Sequence, residues 1–206
     1  MAVITSMKPQ RNQKRVNVYL DGKFGFGLDL ENFVKLGLKV EQELSDSDVE
    51  KIVKKAEFQK TLDKLLRFAT LRPRSEKEIR AWFKKHKVHE SLHKGLFKRL
   101  ARLDLIGDEK FAKWWVEQRL GFRPKSKRIL KYELKNKGIK DELIDTVLSE
   151  VIIDEVKIAK GLVDKKKYRW KNLNDFDRKK KMATYLSGKG FGWEIIEKIL
   201  GESVDE

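Results

Sequence analysis

Cysteine is absent from the 206-residue chain, which removes disulfides, thiolate nucleophiles and cysteine-based metal sites. A reducing cytoplasm is the compartment this expects. No apolar run approaches the roughly 18 residues of a membrane-spanning helix, and Met1-Ala2-Val3-Ile4-Thr5 does not open a signal peptide. No phosphate-binding Gly-x-x-x-x-Gly-Lys-Ser/Thr loop is present. Gly188-Lys189-Gly190 lacks the downstream hydroxyl and a preceding strand, and Gly22-Lys23-Phe24-Gly25-Phe26-Gly27 reads as hairpin with no helix opening after it. The three histidines are His86, His89 and His93; the last two are spaced to share a helix face, but Lys84, Lys85, Lys87 and Lys94 around them repel a cation. With no catalytic, cofactor or metal signature left, the chain reads as a non-enzyme without a cofactor.

Acidic residues are plentiful but outnumbered. Against 48 Lys and Arg stand 32 Asp and Glu, for a net charge of +16. Residues 1–50 are near neutral at −1, whereas 51–107 hold 17 basic and 6 acidic side chains, and 108–153 and 154–206 carry +3 each. A field of this sign favours polyanions, because each neutralised phosphate releases counterions.

What the chain has instead is repetition. Lys85-His86-Lys87-Val88, Asn136-Lys137-Gly138-Ile139 and Gly188-Lys189-Gly190-Phe191 recur with their last residues 51 and 52 positions apart. Ile79 and Phe83, Leu130 and Leu134, Met182 and Leu186 lie nine and five residues before these anchors. Leu92, Leu96 and Phe97, Leu143, Val147 and Leu148, and Ile195, Ile199 and Leu200 lie four, eight and nine after them. Five apolar offsets kept in three copies predict one helical unit used three times, and such arrays act as binding surfaces.

Each unit reads as three helices: about 58–71, 75–86 and 89–105; then 108–120, 126–137 and 140–150; then 154–166, 176–187 and 192–200. Ser45 and Ser75 start helices as caps, with Asp48 and Glu78 three residues on. Gly138 and Gly190 end the second helices of their units; Lys87 holds that place in the first, where the turn must differ or be strained. Ahead of the array, Val16, Val18 and Leu20 alternate with polar residues, Asp21-Gly22 turns the chain, and Phe24, Phe26 and Leu28 return it. Residues 4–7 add a candidate third strand, and a short helix over 31–36 ends at Gly37. The fold class expected is mainly α, tandem three-helix repeats in an elongated array behind a small N-terminal β-hairpin module. Its divisions are 1–44, 45–107, 108–151 and 152–206.

The cations form two kinds of run. Arg72, Arg74, Lys77, Arg80 and Lys84 gather at the start and exposed face of the second helix of the first unit, and Lys125, Lys127, Arg128, Lys131 and Lys135 copy them in the second. A recurrent row on one surface is what a backbone-phosphate track needs. Lys165, Lys166 and Lys167 are uninterrupted and therefore solvated; with them, in a basic loop, stands Trp170, a candidate for stacking on an unpaired base. Trp82 and Tyr185 share an offset of six before their anchors, which favours core packing, and Tyr132 misses it by one residue.

Asp108-Glu109-Lys110-Phe111-Ala112, followed by Tyr132-Glu133-Leu134-Lys135-Asn136-Lys137-Gly138-Ile139, resembles the central signature of the RecX family, bacterial regulators of the RecA recombinase. Arg74-Ser75-x-x-Glu78-Ile79 and Leu103-x-x-Ile106-Gly107-Asp108 fit as well, and the hairpin with Tyr19-Leu20-Asp21-Gly22 is similar to the N-terminal extension of many members. Lys87 stands where the first repeat of the family usually has Gly, and the Gly-Pro before the second repeat's middle helix reads Ser126-Lys127, with Pro124 displaced. A monomer is expected; the resemblance implies one that binds single- and double-stranded DNA and docks along the groove of the RecA–DNA filament. It further implies suppression of ATP hydrolysis, strand exchange and coprotease action. The alternative is a general DNA-binding protein whose helix triplets act as helix-turn-helix readers.

Overall fold

The computed structural model describes residues 1–11 and 13–202. They divide into two compact units, one formed by 1–72 with 85–103, the other by 73–84 with 104–206. The sequence divisions at repeat boundaries do not anticipate this: the middle helix of the first repeat falls in the second unit.

In the first unit, strands β1 (Ala2–Pro9), β2 (Arg15–Leu20), β3 (Lys23–Asp29) and β4 (Glu43–Leu44) form an antiparallel sheet in the order β3-β2-β1-β4. The hairpin turns at Asp21 and Gly22, both at positive φ (48° and 78°), as two-residue turns matched to strand twist require. Helix α1 (Leu30–Leu36) follows and ends at Gly37. Ile4, Val18, Phe26 and Leu28 face inward, where Ile52 and Ala56 of helix α2 (Asp46–Ala69) close the core. Helix α2 runs unbroken for 24 residues, because nothing between the Ser45 cap and Thr70 interrupts it. Its later part packs with α4 (Glu90–Arg102), and Leu62, Leu65, Leu92, Leu96 and Leu100 are buried. His89 caps α4 by accepting from Ser91 N, so it stands outside the helix and shares no face with His93.

The second unit holds α3 (Glu76–Lys85), then α5 (Asp108–Phe122), α6 (Lys127–Asn136) and α7 (Asp141–Glu150), then α8 (Glu155–Asp164), α9 (Asp175–Gly188) and α10 (Trp193–Glu202). Each triplet encloses its own core. Phe111, Leu130, Leu134, Ile144 and Leu148 centre one, and Ala159, Met182, Leu186, Phe191 and Ile196 the other. The middle-helix pairs expected from the period are all buried, from Ile79 at 0% exposure to Met182 at 3%. Past the anchor the register slips by one: Leu143 and Ile195 are half-buried, and Ile144 and Ile196 take the interior place.

Candidate nucleic-acid interface

The middle helices α3, α6 and α9 carry the recurrent cations, and one repeated joint fixes them. Ser75 begins α3 by accepting from Glu78 N (3.2 Å) while its Oγ donates to the carbonyl of Lys137, at the end of α6 (2.8 Å). The N–H of Glu76 donates to Asp108 Oδ1 at 2.9 Å. One repeat on, Ser126 Oγ accepts from Ile129 N (3.3 Å), Ser126 N donates to the Lys189 carbonyl at the end of α9 (3.2 Å), and Lys127 N donates to Glu155 Oε1 (2.8 Å). In each joint a serine at one helix start thus meets an orphan carbonyl at another helix end, through the hydroxyl of Ser75 and the N–H of Ser126, with the two dipole ends opposed in sign. Ser75 and Ser126 are accordingly buried, at 0% and 1%.

The close approach explains the turn glycines. Gly138 and Gly190 both sit at φ 86°. A Cβ on Gly138 would meet Lys77 Cβ at 2.7 Å; on Gly190 it would meet Ser126 Oγ at 2.6 Å and Ile129 Cγ1 closer still. Lys87 keeps the left-handed turn at φ 51° on an exposed surface, so the expected irregularity is conformational cost alone.

Asp108 is a test of the joint. Burial, reinforced by the Glu76 carboxylate, pushes its carboxyl up despite the bond from Glu76 N. A raised native pKa means stability is fully present below the unfolded value and declines as pH rises through the native one. Asp108→Asn keeps an acceptor and should flatten that dependence in acid-range denaturation curves. Asp108→Ala should flatten it as well and, with the acceptor gone, cost about 1 kcal/mol at the acid end, as a lost cap does, and less as pH rises.

On α3 and α6, Lys77, Arg80 and Lys84 occupy the same offsets as Arg128, Lys131 and Lys135, and in each helix they share one face, opposite Ile79 and Phe83 or Leu130 and Leu134. Lys180 repeats the first of these places in α9. The row is partly neutralised. Arg80 reaches Glu76 (3.3 Å), Lys131 reaches Asp145 (2.6 Å) and Lys135 reaches Asp141 (2.8 Å). The bond from Asp145 holds Lys131 above the usual lysine value, and the bond from Lys135 holds Asp141 below the usual aspartate value. These pairs are solvent-exposed and weak, so a phosphate can displace them. Lys77, Lys84, Lys127 and Arg128 are exposed.

Other expected residues fall elsewhere. Arg74 is a correction: it is 7% exposed, its backbone bridging Ile106, and does not stand on the surface. Arg72 is half-buried and belongs to the first unit. Lys125 is half-buried, 3.9 Å from Glu133. Lys165 and Lys167 are exposed, while Lys166 lies 4.8 Å over the Tyr185 ring. Trp170 is half-buried against Tyr185, and Trp82 is buried as its offset suggested. Tyr132 is exposed; Glu133 takes the shared offset in the second repeat, accepting from Arg119 Nε (2.6 Å) and Trp115 Nε1 (2.9 Å).

Sequence reading missed a cation cluster where the second and third repeats join. The Ser126–Lys189 bond sets Lys125 beside Lys189, which lies 5.6 Å over Tyr185. Burial, then the charges of Lys125, Lys166 and Arg123, holds the Lys189 ammonium below its ordinary value. Only the joint brings these four together; the sequence had marked Lys125 and Lys166 as candidate cations, but not Arg123 and Lys189.

Fold and face together define a tandem three-helix-repeat protein with cations on the outer sides of its middle helices. The matching family descriptions are the regulatory protein RecX N-terminal domain over residues 2–45, the RecX second three-helix domain over 108–148 and the RecX third three-helix domain over 153–200. The chain belongs to the RecX family of regulatory proteins. It is 32% identical over 205 residues to regulatory protein RecX of Bacillus licheniformis, covering 98% of this chain and 78% of that one. With the Clostridium perfringens protein of the same name it shares 29% identity, over 97% and 95% of the two chains. A crystal structure of regulatory protein RecX superposes with a TM-score of 0.68 at 26% identity, over 97% of this chain and 98% of that one. RecX from Lactobacillus salivarius follows at 0.59 and 25%, over 71% and 96%.

Proposed function

We propose that this protein is a non-enzymatic negative regulator of the RecA recombinase, one that binds the RecA–DNA filament and restrains its ATPase, strand-exchange and coprotease activities. The observation that carries the reading is the cation row repeated at identical offsets on α3 and α6, in a chain of a family of regulators. A repeated charge spacing suits a repeated ligand, and a DNA-bound filament is one. To change filament activity, the protein must bind one filament state better than another; blocking access to DNA or holding an inactive geometry would each do so. It acts in the cytoplasm as a monomer and consumes no ATP itself.

The test is RecA ATPase on single-stranded DNA with and without the protein, beside DNA binding across a salt series. Inhibition is expected below one protein per RecA protomer. Replacing Lys84, Lys127 and Arg128 by Ala should flatten the log–log salt slope of binding by roughly 0.9 per lost duplex phosphate contact, or 0.7 on single strands. No effect on RecA at saturating protein defeats the reading; an unchanged slope removes α3 and α6 from the DNA surface.

A further inference from the structure

The third repeat departs from the second in one connection. Between α5 and α6 the chain spends residues 123–126, but between α8 and α9 it spends 165–174, and this longer segment folds as a 3₁₀ turn over Lys167–Trp170. The turn walls a cavity of about 360 Å³, within the range of about 300–1,000 Å³ that small-ligand sites occupy. Val163, Met182 and Ile199 form its apolar floor, and Trp170 and Tyr168 bring two aromatic rings to its side. Lys160, Lys167, Lys171 and Arg178 stand among its lining, with Asp164 as the one acid.

We propose that this cavity receives a single unpaired nucleobase, with the adjoining phosphates held by the cations at its mouth. The proposal rests on the DNA reading given above. Trp170 is braced edge-on against Tyr185, with centroids 5.8 Å apart, and Tyr185 is itself covered by Lys166 and Lys189. The indole thus has a fixed edge-on partner on one side, while Tyr168, 75% exposed, offers its ring to solvent at the cavity's edge. A base is flat and apolar on its faces and tied to an anion, so rings, apolar floor and cations each find a counterpart in it. An acidic peptide could place an apolar side chain on the floor. It would leave unanswered the second group of cations, Arg123, Lys125, Lys166 and Lys189, beyond the Trp170–Tyr185 pair. A strand with a phosphate at every nucleotide meets both groups. Bases inside a duplex are unavailable to such a cavity unless unstacked, so the site favours single strands.

The experiment titrates the full chain into a single-stranded thymidine 12-mer with a central 2-aminopurine, and into a duplex of equal length. Tyr168→Ala and Lys171→Ala are compared with the wild type; both positions are exposed, and circular dichroism checks that the fold is kept. Binding is expected to change 2-aminopurine emission, and Tyr168→Ala to weaken single-strand affinity roughly tenfold with duplex affinity unchanged. Salt-dependent binding with no emission change and no loss in Tyr168→Ala would overturn the nucleobase site and leave the DNA reading standing. No binding to either oligonucleotide would remove both. Single-strand binding intact in Tyr168→Ala, but RecA inhibition lost, would overturn the proposal by assigning the cavity to a protein side chain.

Discussion

Gly190→Ala is expected to lower the stability of the second unit by about 2–5 kcal/mol, as read from urea unfolding. Two costs combine. A residue with a Cβ at φ 86° meets its own carbonyl, at about 1–2 kcal/mol. The added carbon would also press on Ile129 and Ser126 of α6, and overpacking of this kind costs about 1–3 kcal/mol. Gly138→Ala carries the same two costs: its nearest neighbour would be Lys77 Cβ at 2.7 Å, which is fixed to the α3 backbone and cannot rotate away. Lys87→Gly runs the other way: with no packing to lose, relief of the left-handed strain should stabilise its turn by up to about 1 kcal/mol. Losses of only about 1–2 kcal/mol at both would show that conformation, rather than contact between repeats, governs these turns.

Leu134→Ala is the second large effect. Leu134 is fully buried among Phe111, Leu130 and Leu148, and removing its side chain should cost about 2–5 kcal/mol, the spread reflecting how far the site can collapse. Leu186→Ala, at the equivalent place in the third repeat, should cost a similar amount. Leu143→Ala should cost clearly less, because Leu143 is only half-buried although it belongs to the same apolar pattern. Thermal unfolding of the three variants separates these cases. Similar losses for Leu143 and Leu134 would mean that the cores are not arranged as described.

The period made the helix triplets legible because interior positions on a helix recur whatever else surrounds them. Ser45 and Ser75 were legible as caps for a similar reason: the bond is local. What the sequence concealed is long-range. Ser75 and Lys137 lie 62 residues apart, and nothing in either neighbourhood announces the other. Strand β4 has two residues and is defined only by its pairing with Ala2 and Val3. Charge and spacing placed Arg74 at the surface; it is buried instead, with its backbone bridged to Ile106, 32 residues on. The cation row was readable as spacing, but the carboxylates that temper it, Asp141 and Asp145, arrive from the next helix.

The joint also gives the array a direction and a rule of growth. The triplet α5–α7 carries a socket, made by Asp108, Lys137 and Gly138, and a plug, made by Ser126 and Lys127. The first repeat supplies a plug at Ser75 but has Lys87 where a socket glycine would be; the third supplies a socket, and its middle helix begins at Asn174, capped within its own turn by Asp177 N. The central triplet alone is complete at both sides. A tandem duplication of it would therefore seat each copy in the next with no new surface to evolve.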